Sequence, residues 1–249
     1  MTIENEADLE GLRMIGRIVG QVLQQMIEQT DPGMTTLELD QLGEQLLAAA
    51  GARSAPRISY NFPGATCISV NEEAAHGIPG ARVIQPGDMV NVDVSAEKGG
   101  YFADTGGSFA VPPVQLVQKR LLHATRRALE RAMEATSAGK PLSVIGKSVQ
   151  QVARKSGFKV IRDLCSHGVG RSLHESPTEI KGYFDPAEKR RLTDGLVITI
   201  EPFLSTRSRS VHQSADGWTL VGANGGLSAQ FEHTLVVTRG KPLIMTSVS

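Results

Sequence analysis

The chain has 249 residues, 40% of them hydrophobic, enough for a packed core in one large domain or two modest ones. Its 26 Lys+Arg balance 26 Asp+Glu, which speaks against a nucleic-acid-binding stripe or an acidic tail. Cys67 and Cys165, the only cysteines, form no CxxC pair and so no structural zinc site, and no run approaches the roughly 18 apolar residues of a membrane span.

The first stretch, "MTIENEADLEGLRM", is acidic and has no long apolar run, so it does not read as a signal peptide. With reduced cysteines the expectation is a soluble, cytoplasmic protein. Leu12, Ile15, Val19, Val22, Leu23 and Met26 then recur at helical spacing, predicting an amphipathic helix over about 5–29. "TDPGM" breaks it. Thr35 followed by Glu38 resembles a capping box and opens a second helix ending near Gly51. A glycine- and proline-rich stretch follows, and then "MVNVDVS" alternates: Val90, Val92 and Val94 share one face, Asn91, Asp93 and Ser95 the other.

The second half repeats this order. Val114, Val117, Leu121, Ala124, Ala128 and Ala132 mark a long helix, "SAGKP" breaks it, and another helix ends near Gly157. Gly33 and Gly139 are 106 positions apart, as are Gly51 and Gly157, while Asp93 and Glu201 are 108 apart. The expectation is a duplicated α+β unit within one domain spanning 1–249, with internal halves of about 5–110 and 111–240. Asp93 and Glu201 would then face each other near a pseudo-twofold axis, where two carboxylates need a proton or a cation between them.

"MVNVDVSAEKGGYFADTGGSFAV" reads as a hairpin turning at "EKGG". If Lys98 and Gly99 form the loop, Asp93 lies directly opposite Asp104. If Gly99 and Gly100 form it, the two are diagonal neighbours on one face. Either way like charges crowd one face, and Lys98 at the tip is the hairpin's only cation. A bound metal would resolve the conflict, because carboxylates are hard donors that can bridge two ions.

Glu201 ends "LVITIE" just before Pro202, and Glu232 lies in "LSAQFEHTLVV". Read as one strand, that segment puts Gln230, Glu232 and Thr234 on a polar face and Phe231 and His233 on the other, so Glu232 is the ligand candidate and His233 a structural histidine. "DLCSHGVGRSLHESP" sets His167 and His174 seven residues apart around Gly168 and Gly170. The glycines argue against a helix, and the stretch is expected to be irregular and to aim the two rings separately. Two Asp, two Glu and a His suit a pair of divalent ions that ready a water for attack.

"NEEAAHGIPG", "GDMVNVDVSAEKGGYFADTGGSFAV", "CSHGVGRSLHESP", "VITIEPF" and "LSAQFEHTLVV", in this order, resemble the motifs of the bacterial, type I methionine aminopeptidase family across about residues 5 to 240. The resemblance implies an α+β pita-bread fold, with a pseudo-twofold duplicated unit and a central curved antiparallel sheet flanked by helices. It implies that Asp93, Asp104, His167, Glu201 and Glu232 ligate two divalent metal ions (cobalt, manganese, iron(II) or zinc), with Asp104 and Glu232 bridging. His76 would contact the substrate near the scissile bond, His174 would hydrogen-bond its carbonyl, and Glu201 would be the general base.

By the same resemblance, Phe62, Cys67 and Trp218 form an apolar slot for a methionine side chain, the next residue being small. The expected partners are peptide and nascent-chain N-termini, with a transient ribosome contact, no nucleic-acid readout, no membrane and a monomeric state. The chain departs from the family at Ser59 and Tyr60, where tyrosine–histidine is common, and at Leu173, where an aromatic is common. No long insertion separates Glu201 from Glu232, against the type II form. The alternatives are an Xaa-Pro aminopeptidase or prolidase-like enzyme of the same fold and a non-enzymatic module of that fold. The first usually carries an extra domain before the catalytic one, and the second typically loses ligands.

Overall fold

The computed structural model describes residues 1–248. Helix α1 (Glu6–Glu28) is capped by Asn5, whose side chain accepts from the Asp8 N–H at 3.0 Å. Its predicted stripe, from Leu12 through Met26, is the buried face, apart from half-buried Leu23. Helix α2 (Thr36–Ala49) opens with the expected capping box: the Glu38 N–H donates to Thr35 Oγ1, and Glu38 Oε2 accepts from the Thr35 N–H.

Next come β1 (Arg53–Ser54), a six-residue helix α3 (Ala55–Tyr60) that the sequence reading did not include, β2 (Cys67–Val70) and β3 (Glu73–Ala75). Then follow the long strands β4 (Met89–Lys98) and β5 (Tyr101–Ala110). The second half opens with α4 (Leu116–Ala135) and α5 (Val144–Ser156), the latter ended by Gly157 in a left-handed conformation. Its strands are β6 (Lys159–Val160), β7 (Cys165–Gly168), β8 (Glu175–Lys181), β9 (Val197–Ile200), β10 (Phe203–Ser205), β11 (Val211–Gln213), β12 (Leu220–Gly222), β13 (Ser228–Gln230), β14 (His233–Val236) and β15 (Leu243–Ile244).

The β4–β5 hairpin takes the second of the two registers. Lys98 pairs with Tyr101, so Gly99 and Gly100 form the loop, and both have positive φ (62° and 82°). A two-residue loop whose central residues both need positive φ is what paired glycines permit. In this register Asp104 pairs with Ser95 and Asp93 with Gly106, which leaves the two aspartates diagonal on one face.

Strand β4 pairs with β5 and also with β1 and β2, all antiparallel. A second antiparallel sheet runs β15–β14–β9–β7–β8. Two three-stranded sheets, β13–β10–β6 and β11–β12–β3, complete the set. One apolar core packs α1 and α2 against the first sheet, through residues such as Ile15, Val19, Leu39, Val90 and Val92. Another packs α4 and α5 against the second half's strands, through Leu121, Ala128, Ile145, Ile198 and Leu235.

The halves meet along β5 and the segment 228–236, which is two strands rather than the single strand expected. The chain leaves one sheet after Gln230 and joins another at His233, and Phe231 bridges to Gly107. Side-chain hydroxyls stitch this seam. Thr234 Oγ1 accepts from the Asp104 N–H and donates to its carbonyl, Thr105 Oγ1 donates to Glu232 O, and Ser108 Oγ donates to Gln230 O. At Gly106 the Gln230 side chain lies so close across β5 that a β-carbon would come within 2.2 Å of its Oε1.

The stretch around His167 and His174 is more regular than expected. It is strand β7, a turn, and strand β8, with the register slipping between Ser166 and Gly168, so His167 stands at a bulge. The two rings are not aimed apart: their centroids are 3.9 Å from each other.

Candidate metal centre and active site

Asp93 comes from the middle of β4, Asp104 from β5, His167 from the β7 bulge, Glu201 from the residue after β9, and Glu232 from the break between β13 and β14. One ligand atom each of Asp104, His167 and Glu232 lies within 4.8 Å of the other two. Glu201 Oε1 is 3.4 Å from His167 Nε2, and Asp104 Oδ2 is 3.8 Å from it. Asp93, diagonal to Asp104 on the same sheet face, lines the same cavity and completes the group. Both halves of the chain therefore contribute, and all five residues expected to bind metal converge.

A cavity of about 280 Å³ opens onto this group. Asp93, Asp104, His167 and Glu201 line its floor; Glu232 lies behind them, 1% exposed. Its walls include Phe62, Cys67, His76, His174 and Trp218, every other residue expected in the site, together with Tyr60 and Leu173. Phe62 and Trp218 meet edge to face at 5.3 Å between centroids, a favourable aromatic geometry that fixes one apolar wall. His76 holds a left-handed backbone (φ 54°), uncommon for a residue with a β-carbon and found where surrounding structure enforces it.

The hydrogen bonds show what the cluster lacks. His167 Nδ1 sits 2.9 Å from the Gly168 carbonyl, which can only accept, so Nδ1 carries the proton. Desolvation, helped by the neighbouring His174, pushes the His167 pKa down to about 3, so the ring is neutral and its Nε2 lone pair faces carboxylate oxygens. Asp104 Oδ1 and Glu232 Oε1 are buried without a hydrogen-bond partner. Among the described residues, no lysine or arginine forms an ion pair with any of the four acids. Two buried acid oxygens without a donor, beside an imidazole lone pair, fit divalent cations.

Desolvation pushes the carboxyls up: Asp93 to about 6, and Asp104, Glu201 and Glu232 well above the usual range, with mutual repulsion adding at the last three. A carboxyl raised in the folded state contributes stability below its unfolded pKa, near 4, and loses it as pH rises through the folded value. Chelator-stripped protein is therefore expected to lose thermal stability from about pH 4 to above pH 6. Divalent ions at a hundredfold excess over Kd should restore about 2.7 kcal/mol at neutral pH. Calorimetry with and without chelator checks this, and a stripped protein that gains stability over that range would contradict it.

Sequence reasoning missed the side chains that hold the acids in place. Thr199 Oγ1 accepts from the His167 N–H at 3.1 Å and donates to Glu201 Oε1 at 2.8 Å. Asn91 Nδ2 donates to Gln230 Oε1 at 2.8 Å, and Gln230 Nε2 donates to Glu232 Oε2 at 2.9 Å. The signal was present, since Thr199 shares parity with Glu201 and Gln230 with Glu232. Tyr60, noted in the sequence only as a departure from the family, has its hydroxyl 2.7 Å from His174 Nδ1, a contact the sequence did not predict. His233 is clear of the centre, its Nδ1 paired with Thr246 Oγ1 at 2.8 Å, in the structural role expected.

The metallopeptidase family M24 model matches residues 10–239. Over 249 residues the chain is 43% identical to methionine aminopeptidase 2 of Bacillus subtilis, covering all of both chains. The crystal structure of a methionine aminopeptidase from Thermotoga maritima superposes with a TM-score of 0.95 at 33% identity, again over the whole of both. A prolidase from Pyrococcus furiosus shares the fold, with a TM-score of 0.79 at 22% identity, and this chain covers 66% of it.

Proposed function

We infer the reaction from one premise: the chain belongs to metallopeptidase family M24 and, within it, to the methionine aminopeptidases. It has their pita-bread fold and is a metalloaminopeptidase that removes an N-terminal methionine. The observation that carries the chemistry is the group of partnerless acid oxygens and one imidazole lone pair on the floor of an apolar cavity.

Asp93, Asp104, His167, Glu201 and Glu232 would hold the metal. Four carboxylates beside a neutral imidazole carry four negative charges, and that charge supports two divalent ions, for which cobalt, manganese, iron(II) and zinc all suit the donors. Ions bound there would supply Lewis-acid activation of a water and of the scissile carbonyl.

The chain's own residues do the rest. Phe62, Cys67 and Trp218 line the slot for the methionine side chain, where a polarisable thioether packs well against aromatic rings. Glu201 Oε1 is engaged by Thr199, so Oε2 is the oxygen that takes the water's proton and passes it to the leaving amine. His174 donates to the substrate carbonyl oxygen as negative charge develops on it, and His76 contacts the substrate near the same bond.

The type I form is supported by the path from Glu201 to Glu232, which holds only the short strands β10 to β13. We place the reaction in the cytoplasm, on N-termini leaving the ribosome, with the enzyme acting as a monomer; the two free cysteines fit a reducing compartment. Assays of a Met-Gly-Met peptide against an Xaa-Pro peptide, with added metal and with chelator, test the reading. Turnover of the first, lost on chelation, is expected. Preference for the proline peptide, or full activity in strong chelator, would overturn it.

A further inference from the structure

His174 is held by three contacts, one to its backbone and two to its ring. Ser172 Oγ donates to the His174 carbonyl at 3.0 Å and fixes its backbone. The His167 ring lies against it at 3.9 Å between centroids, the planes inclined by 42°. The third contact is Tyr60, whose hydroxyl is 2.7 Å from Nδ1, with centroids 5.5 Å apart. The first two contacts set where the ring lies. Tyr60 is the contact that bears on which nitrogen carries the proton.

Tyr60 is well placed to hold that position. It is the last residue of α3, which is capped at its start by Ser54, whose side chain accepts from the Arg57 N–H, and at its end by Asn61 in a left-handed conformation (φ 56°). Arg57 ties α3 to α2 through Glu44 and, at 3.9 Å, Asp40. Asp40 in turn accepts from the backbone N–H groups of Ala65 and Thr66. The tyrosine therefore sits on an anchored element, though 46% exposed itself.

We propose that Tyr60 is a positioning residue: its hydroxyl donates to His174 Nδ1 and so fixes the tautomer whose Nε2–H is free to donate to the substrate carbonyl. A neutral imidazole has one N–H and one lone pair, and the bond made at one nitrogen decides which the other presents. With Nδ1 accepting from the phenol, Nε2 must be the donor. Without the phenol, Nδ1 can hold the proton instead and turn a lone pair towards the carbonyl oxygen. Tyr60 stands where the resembling family often has histidine, so the contact is one of this chain's own departures. The inference rests on the proposed reaction, in which His174 contacts the carbonyl.

Tyr60→Phe keeps the ring and removes only the hydroxyl. With a Met-Gly-Met peptide, kcat is expected to fall about 10- to 100-fold, the usual cost of losing the partner that orients a working histidine, with KM and metal content within about twofold. In a His174→Ala background the same change should alter kcat by less than about twofold, because the two residues act as one unit. In metal-free protein, ¹⁵N NMR of labelled histidine should show His174 protonated at Nε2 in the parent and a mixture of tautomers in Tyr60→Phe. An unchanged kcat, an equal loss in the His174→Ala background, or identical tautomers in both proteins would overturn the assignment. Wild-type enzyme that cleaves the peptide while any of those results holds leaves the reaction standing and removes only the role of Tyr60. Wild-type enzyme inactive with every metal removes both.

Discussion

Asp104→Asn is expected to lower kcat at least about 10³-fold without unfolding the protein, because Lewis-acid stabilisation is worth several kcal/mol and each 1.4 kcal/mol is about tenfold in rate. Asp104 is one of the three residues whose ligand atoms lie within 4.8 Å of one another. Its Oδ2 faces His167 Nε2, its Oδ1 has no partner, and Asp93 crowds it from the same sheet face. An amide is nearly isosteric but offers one neutral oxygen and two N–H donors, which would point at other acids instead of at a cation. The seam bonds made by residue 104 use its backbone N–H and C=O, so they survive the change. Removing one of several repelling carboxyls should leave the metal-free melting temperature unchanged or higher. Elemental analysis, steady-state kinetics and calorimetry on the same preparation read all three quantities. Activity within tenfold of the parent would show that Asp104 is dispensable to the centre.

His174→Ala carries the second largest effect: kcat down about 10²- to 10³-fold with metal content intact, as for loss of one donor to a developing oxyanion. The informative part is the pairing of those results. The His174 ring lies against that of His167, so a residue that merely propped up the ligand would, once removed, loosen the centre and release metal. A residue that serves the carbonyl leaves the metal in place and slows only the chemistry. KM should change little, because a contact that strengthens in the transition state contributes little to ground-state binding. An empty centre in the purified variant would reassign His174 to a structural task.

Much of this was readable before any coordinates. The helices were marked by periodic apolar stripes and by local signals at their ends: the Thr35–Glu38 box at one start, Gly157 at one end. The two aspartates on one hairpin face followed from strand parity alone, whichever turn was used. The register did not, because "EKGG" admits two loops, and the choice rests on two adjacent residues both adopting positive φ. The break at Phe231–Glu232 was not readable either. Alternation continues through it, while the backbone changes sheets to meet β5, a contact between positions more than 120 apart in sequence. The closeness of His167 and His174 was hidden for a similar reason: the chain turns back between β7 and β8, so the two residues are not on one strand. The bond from Tyr60 to His174 joins residues 114 positions apart and leaves no periodic trace.

The stitched join between β5 and the segment that follows β12 makes the cluster of acids depend on parts of the chain far apart in sequence. A chain that has emerged only as far as Ala110 carries a complete hairpin with Asp93 and Asp104 on it, yet nothing that could finish a binding site. The last of the five residues proposed to bind metal, Glu232, lies in the very strand break that joins the two layers. A chain broken before Phe231 therefore lacks both Glu232 and the hydrogen bonds that tie Glu232 and Thr234 to β5.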